Sequence, residues 1–285
     1  MSAADRAPDG ELRAGTALVT GATSGIGAAI AEVLARRGVP LVLVARSADR
    51  LRAAADRART LGSPDVRPER ADLLDGADLA RVAALATQAE ILVNAAGMGT
   101  AMPFPAGELA DEQAMLDLNV RSLLTLSHAA AGGMRRRGSG RILNVGSTAA
   151  IWSAGTYAGS KAWVHATTAG LRSGLADDGV SVTLLVPGFT RSEFHARSAT
   201  DASGVASWMW LTPEQVACAG VEAMLAGRAE CVPGRRYRAL VWIARRSSTG
   251  VQRRLLRAFA PLRPALRQAA GRTRESRTEA VRPHP

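Results

Sequence analysis

The sequence contains a single lysine, Lys161, among 36 residues of the lysine and arginine type. Tyrosine is nearly as scarce, because Tyr157 and Tyr237 are the only two in 285 residues. The lone lysine follows the first tyrosine by four positions, in the stretch 157–161 (Tyr-Ala-Gly-Ser-Lys). An ammonium is a compact point charge, whereas a guanidinium is planar and holds its hydrogen-bond donors in a fixed arrangement. We therefore infer that position 161 requires the compact charge of a lysine.

Cysteine, aromatic residues and long apolar runs are also rare. Cys218 and Cys231 are the only cysteines, and their spacing matches no metal or redox motif, so we expect neither a metal site nor a disulfide framework. No uncharged apolar run reaches the roughly 20 residues of a membrane-spanning helix. The first 15 residues are polar and lack the apolar core of a secretion signal. We therefore expect a cytoplasmic protein.

The net charge of +11 is unevenly distributed along the chain. Residues 235–285 hold 14 arginines and only two acids, Glu275 and Glu279, whereas the remainder is almost neutral. We therefore predict three segments: a flexible tail over 1–13, a catalytic domain over 14–235, and a basic, partly disordered extension over 236–285.

Short apolar segments alternate with helix-like segments between residues 16 and 185. The predicted strands are 16–20, 40–45, 91–93, 141–145 and 181–186, and the predicted helices are 28–37, 48–60, 108–137 and 157–175. Continuously apolar strands separated by helices are typical of a parallel sheet that is covered on both faces. We expect an α/β fold of the Rossmann type, a doubly wound parallel sheet in one domain, with ligands at the carboxyl ends of the strands.

The first predicted strand leads into a glycine-rich turn, residues 20–27 (Thr-Gly-Ala-Thr-Ser-Gly-Ile-Gly), and then into a helix. Glycine lets the backbone approach a pyrophosphate closely, and the start of the following helix offers free N–H groups to the anion. Glycine also serves tight turns for steric reasons alone. The order of strand, glycine turn and helix favours nucleotide binding, with the residues Gly21, Thr23, Ser24, Gly25, Ile26 and Gly27 at the phosphates.

Tyr157 and Lys161 are four residues apart and therefore share one face of the predicted helix. A free tyrosine has a pKa of about 10, too high for acid–base chemistry near neutrality. A neighbouring ammonium stabilises the phenolate, so we expect Lys161 to lower the pKa of Tyr157.

The Gly-x-x-x-Gly-x-Gly turn and the later Tyr-x-x-x-Lys pattern together closely resemble the classical short-chain dehydrogenase/reductase family. The resemblance covers about residues 14–235. It implies a catalytic set of Asn119, Ser147, Tyr157 and Lys161, all present here. Ser147 would donate a hydrogen bond to the substrate oxygen, and Asn119 matches the asparagine that holds a proton-relay water near the lysine.

The same resemblance implies further cofactor contacts. Asp72-Leu73 matches the pair that lies against adenine. The stretch 94–97 (Asn-Ala-Ala-Gly) matches a segment beside the cofactor, so Asn94, Ala95 and Gly97 are candidates. Ala95 replaces the family's second asparagine, so one side-chain hydrogen bond is in doubt. The turn at 187–192 would meet the nicotinamide through Pro187, Gly188, Thr190 and Ser192.

Arg46 follows the second strand, where sites that prefer NAD usually place an acid for the ribose 2′-hydroxyl. A guanidinium can instead pair bidentately with a 2′-phosphate. We therefore favour NADP(H), with NAD(H) as the alternative. A solvated arginine at a strand end is the simpler interpretation of this residue.

A lid over the substrate is expected at residues 193–212, which contain Phe194, Trp208 and Trp210, and a further aromatic residue, Trp152, lies shortly after Ser147. They favour a hydrophobic ketone or secondary alcohol, such as a 3-oxoacyl, lipid-like, steroid-like or aryl compound. Docking of the lid onto the core explains them equally well. The sequence predicts a carbonyl reductase or alcohol dehydrogenase. The alternatives are a nucleotide-sensing binding protein, or an epimerase or dehydratase on the same scaffold.

The basic extension places Leu255, Phe259, Leu262 and Leu266 at helical spacing among arginines, with prolines at 261 and 264. Peripheral contact with the inner face of a membrane is one interpretation. A solvated or intersubunit helix is the other, and we also expect a homo-oligomer. Nucleic acid is not expected as a partner, because no recognition motif accompanies the basic residues.

Overall fold

The computed structural model describes residues 15–100, 102, 104, 106–152, 155–194, 198 and 205–247. Seven parallel strands form one sheet in the order β3-β2-β1-β4-β5-β6-β7. The strands are β1 (Ala17–Thr20), β2 (Leu41–Ala45), β3 (Val66–Arg70), β4 (Ile91–Asn94), β5 (Gly140–Val145), β6 (Val180–Leu185) and β7 (Glu230–Cys231). The predicted doubly wound parallel sheet is confirmed. The strand order reverses between β1 and β4, which opens a crevice at their carboxyl ends.

Nine α-helices are described on the two faces of the sheet and at its edge. They are α1 (Gly25–Ala35), α2 (Ala48–Thr60), α3 (Gly76–Gln88), α4 (Leu109–Leu116), α5 (Ser122–Arg137), α6 (Ala149–Trp152), α7 (Gly155–Gly174), α8 (Pro213–Leu225) and α9 (Arg235–Arg246). The predicted helix over 108–137 is interrupted by a π-helical turn, Asp117–Arg121, between α4 and α5.

The central strands are buried on both faces, because every residue of β1 and β4 is buried. One core cluster packs under α1 and α8, with Ile30, Leu34 and Val216 fully buried. A second cluster packs on the other face under α3 and α5, with Val82 and Met134 fully buried. Burial of this apolar surface on both faces stabilises the sheet and thereby holds the carboxyl ends of its strands in place.

Helix α9 is the first part of the predicted basic extension, and it packs on the body of the protein. Tyr237, Val241 and Ala244 are buried, and the first two belong to a third core cluster with Val186 and Met209. The predicted tail 1–13 and residues 248–285, which hold the predicted amphipathic pattern, lie outside the described residues.

In the parts of the chain that the structure describes, no helix combines the length and the apolar character needed to cross a bilayer.

Candidate active site

The glycine turn lies directly against the segment that follows β4. Gly21 has a φ of 67°, and a Cβ added there would lie 3.0 Å from the backbone of Ala96. Thr20 joins the two segments, because its hydroxyl oxygen accepts from the amides of Ala95 (3.1 Å) and Ala96 (3.0 Å). The structure therefore holds the 94–97 segment through Thr20, although Ala95 lacks the family's asparagine side chain.

The start of α1 has no side-chain cap. Ser24 precedes the helix in an extended conformation, and its side chain does not cap it. Gly27 must be glycine, because a Cβ there would lie 2.4 Å from the carbonyl oxygen of Gly21. Thr23 lies in the turn before α1, and Ile26 lies in the first turn of α1. First-turn amides without a side-chain cap suit an anionic phosphate.

Asn94 and Asn144 form a buried polar bridge between β4 and β5. The Asn94 amide nitrogen donates to Asn144 Oδ1 (2.9 Å) and to the Ser127 hydroxyl (3.0 Å). Asn144 in turn donates to the Thr168 hydroxyl (3.0 Å). Asn94 Oδ1 is buried and has no hydrogen-bond partner among the described residues.

Asn119 is buried in the π-helical turn between α4 and α5. Its Oδ1 accepts from the Met98 amide, and its nitrogen donates to the Met98 carbonyl oxygen, both at 2.9 Å. The same nitrogen donates to the Ser160 hydroxyl (3.1 Å) on α7. A Cβ added to Gly97 would lie 3.1 Å from Asn119 Oδ1 and 3.4 Å from Lys161 Nζ. Asn119, Gly97 and Lys161 therefore meet at one point.

Tyr157, Ser147 and Lys161 lie together at the carboxyl ends of β4 and β5. Lys161 is only 6% exposed, and its Nζ donates to the Val145 carbonyl oxygen (3.0 Å). The same Nζ lies 6.0 Å from the centre of the Tyr157 ring. The Ser147 hydroxyl accepts from the Ala149 amide (3.1 Å) and forms a hydrogen bond with the Tyr157 side chain. The structure thus brings all four predicted catalytic residues together.

The pKa of Tyr157 differs from the sequence expectation. Burial raises the pKa of Tyr157 to about 12, and the hydrogen bond with Ser147 opposes this increase. Burial also lowers the pKa of Lys161 to about 8. The expected lowering of the Tyr157 pKa by Lys161 is therefore wrong for this structure. The ammonium is directed to the Val145 carbonyl, so desolvation of the phenolate outweighs its attraction.

His165 is a site residue that the sequence reasoning missed. Its Nε2 accepts from the Ser147 amide (3.3 Å), and a Cβ added to Gly146 would lie 2.6 Å from the same nitrogen. Burial lowers the pKa of His165 to about 4, with Glu230 opposing and Arg245 and Lys161 reinforcing the shift. The imidazole is therefore a neutral acceptor. Its position one helical turn after Lys161 is the signal that could have identified it.

The turn after β6 reaches from the catalytic residues to the glycine turn. The Thr148 amide donates to the Pro187 carbonyl oxygen (3.0 Å), which joins this turn to the Ser147 segment. The Thr190 hydroxyl donates to the Gly188 carbonyl oxygen (3.0 Å), and Thr190 is buried. Ser192 lies at the other end, because a Cβ on Gly25 would lie 3.1 Å from the Ser192 Cβ. Of the two predicted hydroxyls, Ser192 is the one next to the glycine turn.

The predicted adenine-side residues lie beyond β2 and β3. Arg46 is exposed at the end of β2, and its carbonyl oxygen accepts from Arg70 (3.3 Å). The Asp72 carboxylate forms a local hydrogen bond, because its Oδ1 accepts from the Leu74 amide (3.1 Å). Leu73 is only 4% exposed and belongs to the second core cluster.

The predicted substrate aromatics separate into different environments. Phe194 contacts Tyr157, with ring centres 5.5 Å apart. Trp210 instead packs on Phe189, and Trp208 is 50% exposed with the Arg236 guanidinium 5.1 Å above its ring. Trp152 ends α6. Among the three whose side chains are described, the structure brings only Phe194 to the catalytic tyrosine.

Comparisons with known proteins agree with this geometry. Residues 15–203 match the model of the short chain dehydrogenase family. An uncharacterized oxidoreductase of Staphylococcus saprophyticus is 33% identical over 224 residues, which cover 75% of this chain and 92% of the relative. The name of that relative specifies only that it is an oxidoreductase.

Two solved structures are similar over most of their length. A short-chain dehydrogenase from Sphingobium yanoikuyae in complex with NADPH is 31% identical, with a TM-score of 0.75 over 86% of this chain and 96% of that one. The bulky-bulky ketone specific alcohol dehydrogenase from Comamonas testosteroni is 26% identical, with a TM-score of 0.69 over 96% and 97%. The chain therefore belongs to the short-chain dehydrogenase/reductase family and is an oxidoreductase that acts on CH–OH or carbonyl groups.

Proposed function

We propose that this protein is an NADP(H)-dependent carbonyl reductase or alcohol dehydrogenase for a hydrophobic ketone or secondary alcohol. The observation that carries the proposal is the convergence of Tyr157, Ser147 and Lys161 near the glycine turn and the uncapped start of α1. A proton donor, a second hydrogen-bond donor and a buried cation at one point are what carbonyl reduction requires.

The residues present fit a nicotinamide dinucleotide. The uncapped start of α1 suits the phosphates, and Gly97 leaves space beside Asn119 and Lys161. When bound, the nicotinamide supplies or accepts the hydride.

The residues of this chain handle the proton and the developing charge. With a pKa of about 12, Tyr157 keeps its proton near neutral pH and can donate it to a carbonyl oxygen. Ser147 is held through its amide by His165 and through its hydroxyl oxygen by the Ala149 amide, and its hydroxyl proton, which faces Tyr157, can be donated to a substrate oxygen. Lys161, with a pKa of about 8, is mostly cationic at pH 7 and stabilises negative charge on the phenol oxygen.

The preference for NADP(H) is based on Arg46. It is exposed at the end of β2, where NAD-preferring sites usually place an acid. The similarity to an NADPH-bound dehydrogenase supports the same choice. NAD(H) is the alternative cofactor.

The choice of a hydrophobic substrate is supported by Phe194, which places an aromatic face 5.5 Å from the Tyr157 ring. The similarity to an alcohol dehydrogenase specific for bulky ketones points the same way. Trp208 does not contribute to this argument, because it is half exposed beside Arg236.

We also propose a peripheral membrane contact through the basic extension and a homo-oligomeric state. Helix α9 supports the membrane contact, because Trp242 (58% exposed) and Ile243 (43% exposed) lie among arginines, with Arg246 4.3 Å over the Trp242 ring. Co-sedimentation with anionic and neutral vesicles, with and without residues 248–285, tests the contact. Trp242→Ala combined with Ile243→Ala should weaken binding, whereas Leu109→Ala, on an exposed residue of α4, should not.

The function is tested by NADPH oxidation and NADP reduction across ketones and alcohols of increasing size, from small aldehydes to aryl, steroid-like and long-chain acyl ketones. The proposal predicts turnover that rises with apolar bulk. Cofactor binding without turnover on the whole panel would favour the sensor hypothesis. Product formation without net NADPH consumption would favour an epimerase or dehydratase.

A further inference from the structure

The second tyrosine of the chain, Tyr237, lies behind the turn that follows β6. It stands in the first turn of α9 and is only 5% exposed. Its hydroxyl accepts from the Phe189 amide (2.9 Å) and donates to the Met209 carbonyl oxygen (2.7 Å). One side chain therefore satisfies a backbone donor and a backbone acceptor from two segments that are distant in sequence.

The Tyr237 ring also lies flat against Gly188. A Cβ added to Gly188 would lie 2.0 Å from the ring atom Cζ and within 2.4 Å of two more ring atoms. Gly188 does not have a positive φ, so its backbone conformation is open to other residues. Glycine is needed at this position because the tyrosine ring occupies the space of a side chain.

The two segments that Tyr237 joins are also paired with each other. The Leu211 amide donates to the Phe189 carbonyl oxygen (2.9 Å), and the Arg191 amide donates to the Leu211 carbonyl oxygen (3.0 Å). The 187–192 turn and the 207–211 segment therefore form one backbone unit, and Tyr237 anchors it to α9. The same unit is tied to the Ser147 loop through Thr148 and Pro187.

We propose that Tyr237 is a positioning residue for the nicotinamide end of the cofactor site, acting through Gly188 and Phe189. This inference rests on the proposed reductase function. The hydroxyl forms two buried hydrogen bonds, so its loss would remove one partner from the Phe189 amide and one from the Met209 carbonyl oxygen. Burial raises the pKa of Tyr237 to about 12, so the hydroxyl keeps its proton and continues to donate to Met209 near neutral pH.

The test compares the full-length chain with Tyr237→Phe, which keeps the ring on Gly188 and removes both hydrogen bonds. We expect the Kd for NADPH to rise about tenfold and kcat to fall with it. The matched control is Thr183→Val, which removes a buried hydroxyl donating to the Arg228 carbonyl oxygen (2.6 Å) away from the turn. If Tyr237→Phe changes only the unfolding midpoint, as the control should, the positioning role is wrong.

Amide hydrogen exchange without cofactor gives a second readout. We expect faster exchange in peptides covering 187–192 and 205–211 of Tyr237→Phe, and no change there in Thr183→Val. Unchanged exchange in both peptides would overturn the proposal. If the wild-type chain binds no nicotinamide dinucleotide, the proposed function fails, while the exchange result still reports on the anchoring of the turn.

Discussion

The ammonium of Lys161 lies 6.0 Å from the centre of the Tyr157 ring and donates to the carbonyl oxygen of Val145 at 3.0 Å. The lysine therefore acts on the phenol as a nearby buried charge and is held in place by the end of β5. A guanidinium would need a larger space and more acceptors at this position. This geometry accounts for the single lysine in a chain that otherwise uses arginine.

The first prediction concerns the loss of reductase activity at alkaline pH. Because burial lowers the pKa of Lys161 to about 8, its positive charge is present below this pH and lost above it. Ketone reduction should therefore fall as the pH rises through about 8. Lys161→Met should lower kcat/KM by about a hundredfold or more, and its kcat/KM should no longer fall as the pH rises through about 8. A variant whose kcat/KM falls over the same pH range as that of the wild type would show that another group titrates there.

The second prediction concerns stability at low pH. Burial lowers the pKa of His165 to about 4, against about 6.5 in the unfolded chain. Between these values the unfolded state binds more protons than the folded state, so the free energy of unfolding falls as the pH falls through this window. The full loss is about 3 kcal/mol.

Denaturant titrations between pH 7 and 4 measure this dependence. His165→Gln removes the titrating group and can still present an acceptor to the Ser147 amide. The variant should therefore show a shallower loss of stability over the same range. An equal slope in both proteins would assign the pH dependence to other groups.

The third prediction concerns cofactor choice. Arg46→Asp should weaken NADP(H) by about ten- to a hundredfold in kcat/KM and leave NAD(H) unchanged or improved, because a charge-assisted pair with the 2′-phosphate is replaced by repulsion. Arg52→Asp is the matched control, since Arg52 is an exposed arginine of α2 that pairs with Asp49. If the preference is the same in all three proteins, Arg46 does not read the 2′-phosphate.

The elements that the sequence predicted well are those with strong local signals. Helix α2 has its predicted bounds, because Ser47 caps it by accepting from the Arg50 amide and a regular apolar face follows. The central strands were visible as apolar runs. Strand β3 was not assigned to residues, because its sequence Val-Arg-Pro-Glu-Arg is polar and occupies an edge of the sheet, where proline is tolerated.

The features that the sequence did not predict depend on contacts between distant segments. The π-helical turn that carries Asn119 could not be predicted, because the sequence over 108–137 has the pattern of one continuous helix. The contact of Tyr237 with Gly188 and Phe189 joins α9 to a turn whose residue Phe189 lies 48 positions earlier in the chain. The pKa of Tyr157 likewise depends on how deeply the phenol is buried and on where Lys161 points, neither of which follows from their spacing.

We propose that Tyr157 transfers the proton in a nicotinamide-dependent reduction. The most direct measurement is NADPH oxidation with the best ketone of the panel, by the wild-type chain and by Tyr157→Phe, together with the Kd of each for NADPH. We expect turnover to fall about a thousandfold in the variant while the Kd stays within about threefold. Turnover retained by Tyr157→Phe with normal cofactor binding would contradict it.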